Sequence, residues 1–215
     1  MSIANNNSDE NHRVMIDSVC RGYSSRKHWT FFGQVLSQLP IRDICMLGVY
    51  FGRDIGYMDG IFKRLGRTDF TIVGVDKFAD EYGDDWPAEI RDKTWNEAGF
   101  GPAPTVEAAA ENLNKLGAMD RVMLVKSASQ EFLATTDKMF DFIYIDTSHD
   151  YETTVQNIDL SIPRLRPNGW IGGDDYSDQG TWGVKRAVTE RFPKHQIADG
   201  WIWVADHNSY VAPAR

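Results

Sequence analysis

The sequence predicts an α/β fold with a mostly parallel sheet, helices on both of its faces and a C-terminal antiparallel strand. Short runs rich in β-branched and aromatic residues alternate with segments of helical period, the pattern of strands joined by crossover helices. The runs are apolar on both faces, as in a sheet covered on both sides. Acidic or small residues close most of them, at the sheet edge where open α/β folds bind ligands.

Residues 1–40 read as an N-terminal helical extension packed on the core, and residues 41–215 as the main domain. The opening is polar, with Asn5, Asn6 and Asn7; one or two helices are expected over 14–39, where Trp29, Phe31, Phe32, Val35 and Leu36 supply the apolar face. Strands are expected over 41–47, 70–76, 122–126 and 140–146, and a fifth over 170–173 after the turn Arg166-Pro167-Asn168-Gly169. The helix over 54–65 places Ile55, Met58, Ile61, Phe62 and Leu65 on one stripe, with Gly66 at the C-cap. Another over 105–116 starts after Pro104 and stops at Gly117. A third over 151–165 must kink or shorten at Pro163, and a fourth over 182–192 ends before Pro193. In the tail, Ile197 and Trp201 to Val204, then Tyr210 and Val211, read as closing strands. Residues 77–103 are too long for a plain connection; Trp86, Trp95 and Phe100 interleave there with Asp80, Glu81, Asp84 and Asp85, which predicts a lid-like insertion over a site.

Composition narrows the function. At 215 residues, 42% hydrophobic and 25% charged, the chain is ordinary globular material, long enough for one core. Asp plus Glu outnumber Lys plus Arg by 31 to 23, for a net charge of −8, so nucleic acid is not expected as a partner. The opening residues match neither a secretory segment nor a membrane span, which predicts a cytoplasmic protein with no membrane partner. Cys20 and Cys45 are too few for a disulfide framework or a thiolate zinc site and read as structural. A homo-oligomer stays open.

The chemistry lies where strands end. Gly48-Val49-Tyr50-Phe51-Gly52 is a G-x-x-x-G turn into a helix. Its glycines admit a ligand to close range, and the helix N-terminus favours an anionic group such as the carboxylate of a methionine moiety. It is neither the dinucleotide pattern G-x-G-x-x-G nor a P-loop, which disfavours nicotinamide enzymes and nucleotide hydrolases. Asp76 follows Gly48 by 28 residues at the end of the second strand, where a carboxylate can accept from both hydroxyls of a ribose or merely cap the next turn. Strands four and five deliver Asp146 and the pair Asp174 and Asp175. Three carboxylates together need protons or a cation, and oxygen donors without thiolates favour Mg²⁺, Ca²⁺ or Mn²⁺.

The runs DFIYIDTSHDYETT, RPNGWIGGDDY and GVKRAV resemble class I S-adenosylmethionine (SAM)-dependent methyltransferases, especially bacterial metal-dependent O-methyltransferases that act on sugars of natural products. The likeness covers residues 41–204 and is sharpest over 140–188. It implies a Rossmann-like class I methyltransferase fold. It also implies SAM as cofactor, at a site of Gly48, Val49, Tyr50, Gly52, Asp76, Lys77, Ser127, Ala128 and Asp146, and Mg²⁺ or another divalent cation on Asp146, Asp174 and Asp175. In that family and in the related catechol O-methyltransferases the metal-binding acids stand 28 residues apart, which is the spacing of Asp146 and Asp174. A base follows the first acid by three residues there, and His149 holds that place. His149 and Asp146 are therefore the catalytic candidates, while His12, His28, His195 and His207 receive no role.

One departure concerns Met46, which stands where many members carry an acid two residues before the first glycine; Asp146 or backbone carbonyls would then receive the methionine amine. The implied reaction is methyl transfer to a hydroxyl of a small-molecule acceptor, a sugar or natural-product intermediate. The residues leave three alternatives: a metal-independent N- or carboxyl-methyltransferase of the same fold, a nicotinamide-dependent oxidoreductase, and a noncatalytic SAM-binding protein.

Overall fold

The computed structural model describes residues 3–80, 91 and 93–213. The strands are β1 (Asp43–Leu47), β2 (Thr71–Asp76), β3 (Val122–Lys126), β4 (Phe140–Ile145), β5 (Leu165–Gly173), β6 (Gln196–Ala198) and β7 (Ile202–Asp206). They form one sheet in the order β3-β2-β1-β4-β5-β7-β6. β1 to β5 run parallel, and β7 joins β5 and β6 antiparallel. The strand order reverses between β1 and β4, and their carboxyl ends open the crevice in which such sheets bind ligands.

The helices are α1 (Ile3–Val19), α2 (Arg26–Gln38), α3 (Arg53–Arg64), α4 (Val106–Lys115), α5 (Ser129–Thr135), α6 (Tyr151–Ser161) and α7 (Val184–Arg191). Successive residues of β1 serve opposite layers. Ile44 and Met46 join Phe32, Leu36, Ile61, Phe62 and Leu113 on the side of α1 to α4. Cys45 and Leu47 join Leu133, Ile158, Val188, Phe192 and Trp203 on the side of α5 to α7. The period of two along a strand makes both faces core, and each fully buried Leu or Phe stabilises the fold by about 1.5–3 kcal/mol. The mostly parallel α/β sheet with its antiparallel C-terminal strand is the fold expected from sequence.

Several boundaries differ from expectation for local reasons. α1 starts at Ile3 and includes the polar opening, where a helix was expected only from residue 14. α5 was not foreseen: it has seven residues and buries only Ser129, Phe132 and Leu133, too short to show a period. α6 stops at Ser161, and the chain tightens into a 3-10 turn over Ile162–Arg164 because Pro163 offers no N–H to an α-helix. The stretch 166–169 is not a turn before β5 but a bulge within it. Phe140 pairs with Leu165 while Phe142 pairs with Trp170, and Asn168 takes φ +65. Leu165 is buried, and Arg166 binds Asp43 and Asp141 at 2.7 and 2.9 Å, which keeps the strand in register around Pro167. In the tail, Trp201 lies in the turn between β6 and β7. Tyr210 and Val211 lie beyond the strands, and the Tyr210 hydroxyl donates to Asp159 at 2.8 Å.

Candidate active site

A cavity of about 390 Å³ opens at the carboxyl ends of β1, β2, β4 and β5. The glycine turn forms one wall. Gly48 adopts φ +87, and a Cβ there would stand 1.6 Å from the Asp146 carbonyl oxygen, so only glycine fits. The Gly48 N–H donates to the Val75 carbonyl, and the Asp146 N–H to the Leu47 carbonyl, both at 2.8 Å. The turn and Asp146 are thus fixed to each other through the sheet edge. Gly52, at φ +89, is the N-cap of α3.

Asp76 locks this turn. One carboxylate oxygen accepts from the Val49 and Tyr50 N–H groups at 2.7 and 2.9 Å, and the other from Phe78 N–H at 2.7 Å. A carboxylate has about four acceptor sites, so Asp76, which also lines the cavity, retains capacity for a ligand hydroxyl. Both readings of Asp76 from sequence, diol acceptor and turn cap, therefore stay compatible with its position. Lys77 lies exposed at the rim. Ser127 and Ala128 sit just before α5, and the residues that reach the cavity are their successors Ser129 and Gln130.

The acids meet as the parallel pairing of β4 and β5 requires. Asp146, His149 and Asp175 each offer a ligand atom, all within 4.8 Å of one another. His149 Nε2 stands 2.8 Å from Asp175 Oδ2, and its ring packs on Trp182 with centroids 4.5 Å apart. Asp175 holds φ +58, a left-handed conformation that Asp tolerates better than most residues. Burial, followed by the charges of Asp174, Asp175, Asp54 and Asp76, raises the Asp146 carboxyl well above the usual carboxylate range.

Asp174 lies outside that trio and makes a contact the sequence did not suggest. Its Oδ2 is 2.6 Å from Nε2 of His28, a residue given no role above. His28 is buried on the first turn of α2, and its Nδ1 accepts the Ser25 N–H in a capping box. Burial disfavours the charged imidazole, but the bond to Asp174 and the charges of Asp54, Asp174 and Asp175 outweigh it and raise the His28 pKa. Protonating Nδ1 would set it against the Ser25 N–H, so the cap opposes that rise. Asp54, at the start of α3, was also missed: it lines the cavity, is 5% exposed, and its Oδ1 has no hydrogen-bond partner. Burial, more than the nearby Asp174, raises its carboxyl pKa against the pull of His28 and Ser24.

The remaining wall comes from outside the sheet. Arg53 donates to the carbonyls of Cys20 and Ser24 at 2.8 and 2.9 Å, which ties the connection between α1 and α2 over the cavity, where Arg21, Gly22, Tyr23 and Ser24 line it. From the expected lid, Trp95 and Phe100 line the cavity, and Trp95 Nε1 donates to the Ala79 carbonyl at 3.0 Å. Trp86, Glu81, Asp84 and Asp85 lie outside the described residues. No helix among the described residues is long and apolar enough to cross a membrane.

Among curated proteins no sequence matches the chain. Solved structures do. The O-methyltransferase NovP superposes with a TM-score of 0.65 at 20% identity, covering 84% of this chain and 79% of its own. An O-methyltransferase from Bacillus cereus in complex with SAH gives 0.58 at 14% identity, over 92% and 89% of the two chains. CalS11, described as a TDP-rhamnose 3'-O-methyltransferase of calicheamicin biosynthesis, gives 0.54 at 16% identity, over 83% and 76%. These likenesses establish the fold. The profile of a family described as a methyltransferase domain matches residues 45–176, a span from β1 through Asp76, Asp146, His149, Asp174 and Asp175. With its strand order, its glycine turn and its acids at the strand ends, the chain belongs to the methyltransferase domain family and is a SAM-dependent methyltransferase of the class I fold.

Proposed function

We propose that this enzyme transfers the methyl group of SAM to a hydroxyl oxygen of a small molecule, with Mg²⁺ or another divalent cation among the acids at the ends of β4 and β5. The observation that carries this reading is the convergence of Asp146, His149 and Asp175 within 4.8 Å on the cavity that the glycine turn also lines. The residues fit positively charged groups. Asp146 is crowded by four other carboxylates, and Asp54 Oδ1 and Asp174 Oδ1 are buried without partners. Buried carboxylate oxygens without partners are costly, and a cationic amine or a metal ion would offset that cost. Oxygen donors suit a hard cation, with Asp146, Asp174 and Asp175 as its holders and His149 left for proton transfer.

SAM supplies a methyl group activated by its sulfonium, and a bound cation lowers the pKa of an acceptor hydroxyl and orients a neighbouring oxygen. The protein's own residues do the rest. Gly48 lets the turn close against the Asp146 backbone, and Gly52 lets it close against Leu113, so that Gly48, Val49 and Tyr50 line the cavity on the side proposed for the methionine end of the donor. Asp76 holds that turn and offers its remaining acceptor site to the ribose. His149 takes the hydroxyl proton, and Asp175, 2.8 Å from Nε2, stabilises the imidazolium that forms. Trp182 packs on the ring and restricts its orientation. Trp95 and Phe100 belong to a segment that we read as covering the acceptor. The likeness to NovP and CalS11 supports oxygen as the acceptor atom and a sugar or natural-product intermediate as the acceptor class.

The test is SAH release measured across a panel of hydroxylated sugars and phenols, in Mg²⁺ and in EDTA. Turnover in Mg²⁺ that EDTA abolishes and excess Mg²⁺ restores is the expected result. Full turnover in EDTA would remove the cation and leave the His149 and Asp175 pair to act without one, as in a metal-independent methyltransferase.

A further inference from the structure

We infer that His28, carried in by the N-terminal helical segment, is a positioning residue for Asp174: it holds one carboxylate oxygen and so fixes the direction of the other. This rests on the metal-assisted reading above and extends it to a residue 146 positions away in the chain.

Ser25 is the N-cap of α2 and His28 is its third residue, so the imidazole folds back and Nδ1 accepts the Ser25 N–H at 3.1 Å. An accepting nitrogen carries no proton, which places the ring proton on Nε2. That nitrogen lies 2.6 Å from Asp174 Oδ2 and therefore donates to it. The cap sets the tautomer, and the tautomer sets the direction of the bond to the acid.

Packing keeps the imidazole in place. His28 is 8% exposed, and Trp29, Phe31, Phe32 and Leu36 of the same helix are buried. The rings of Phe31 and Phe32 lie 5.9 and 4.9 Å from that of Tyr144, on β4 two residues before Asp146. Helix α2 is thus packed on the strand that leads to Asp146. Asp174 has Oδ2 engaged and Oδ1 buried without a partner. A carboxylate held by one oxygen presents the other in a defined direction, which is how outer-layer partners raise the affinity of a metal ligand.

Two substitutions separate positioning from mere packing. His28→Leu fills similar space but has no polar atoms. In His28→Gln the carboxamide has an acceptor for Ser25 and a donor for Asp174, matching the two ring nitrogens. Mn²⁺ binding, read from the electron paramagnetic resonance signal of the free ion, needs no acceptor substrate. His28→Leu should weaken Mn²⁺ about 10–100-fold, and His28→Gln should regain most of it. A folded His28→Leu protein that binds Mn²⁺ as the wild type does, or a Gln variant no better than Leu, would overturn the inference.

The wild type supplies a second reading should the Leu variant fail to fold. ¹⁵N spectra of its histidines at pH 8 should show His28 with a bare Nδ1 and a protonated Nε2; a proton on Nδ1 would overturn the assignment. Wild-type protein that binds no Mn²⁺ while His28 shows the expected tautomer would fault the metal reading and leave the bond to Asp174 standing.

Discussion

Replacing Asp146 with asparagine should stabilise the metal-free protein and abolish its response to Mg²⁺. The ligand atoms of Asp146 and Asp175 lie within 4.8 Å of each other. Two full charges at that separation repel by about 3.5 kcal/mol at an effective dielectric constant of ~20. Proton uptake already relieves part of this, so Asp146→Asn should gain about 1–3 kcal/mol without metal. For a chain of this size that is a rise in Tm of roughly 3–10 °C. The sign of the pH dependence follows from the raised pKa of Asp146. The folded state holds this proton more tightly than the unfolded state, so the stability it confers is present in acid. That stability is lost as pH climbs from the ordinary carboxylate range through the raised value. The wild-type Tm without metal should fall across that window, and that of Asp146→Asn should fall less. Mg²⁺ at 1,000 times its Kd adds about 4.1 kcal/mol to the wild type, more than the variant's gain, and reverses the order of the two proteins. Thermal scans with EDTA and with Mg²⁺ measure all of this. A variant less stable than wild type in EDTA, with an undiminished Mg²⁺ shift, would refute the reasoning.

Other perturbations probe the remaining parts. His149→Ala should leave SAM affinity unchanged by calorimetry while turnover drops roughly 10²–10⁴-fold and recovers toward high pH, where the acceptor ionises unaided; unchanged turnover would deny His149 the role of base. Asp76→Ala removes the acceptor of three backbone N–H groups and should weaken SAM binding by about 1–3 kcal/mol, and an unaltered affinity would take Asp76 out of the site. If residues 77–103 close over the acceptor, SAM plus acceptor should protect them from protease more than SAM alone; equal cleavage with and without ligands would make the segment a static wall.

What could be read from the sequence follows from what is local. β3 was expected at the residues it occupies, Val122–Lys126, because an apolar run between turn residues needs no tertiary information. The approach of Asp146 and Asp175 was legible for a topological reason, because parallel strands place their carboxyl ends side by side; Asp174 lies outside that close group, with one oxygen on His28. β5 was less legible because Pro167, Asn168 and Gly169 carry turn chemistry, and only the burial of Leu165 and the Arg166 ion pairs show why a strand continues through them. His28 and Asp54 had no local signature. Their places beside the acids come from the packing of α2 and α3 on the sheet, which brings His28 to an acid 146 residues away. The binding of the Val49 and Tyr50 N–H groups by Asp76, 27 and 26 residues apart, was hidden for the same reason.

The most direct test is a crystal structure grown with SAH and Mn²⁺, with data collected to display the anomalous signal of the metal. SAH should lie along the turn from Gly48 to Gly52 with its ribose at Asp76. A single Mn²⁺ peak should stand among oxygens of Asp146, Asp174 and Asp175, with His149 beside it and facing the acceptor space. SAH in the cavity with no anomalous peak among those acids would leave a methyltransferase that works without metal and contradict the proposed mechanism.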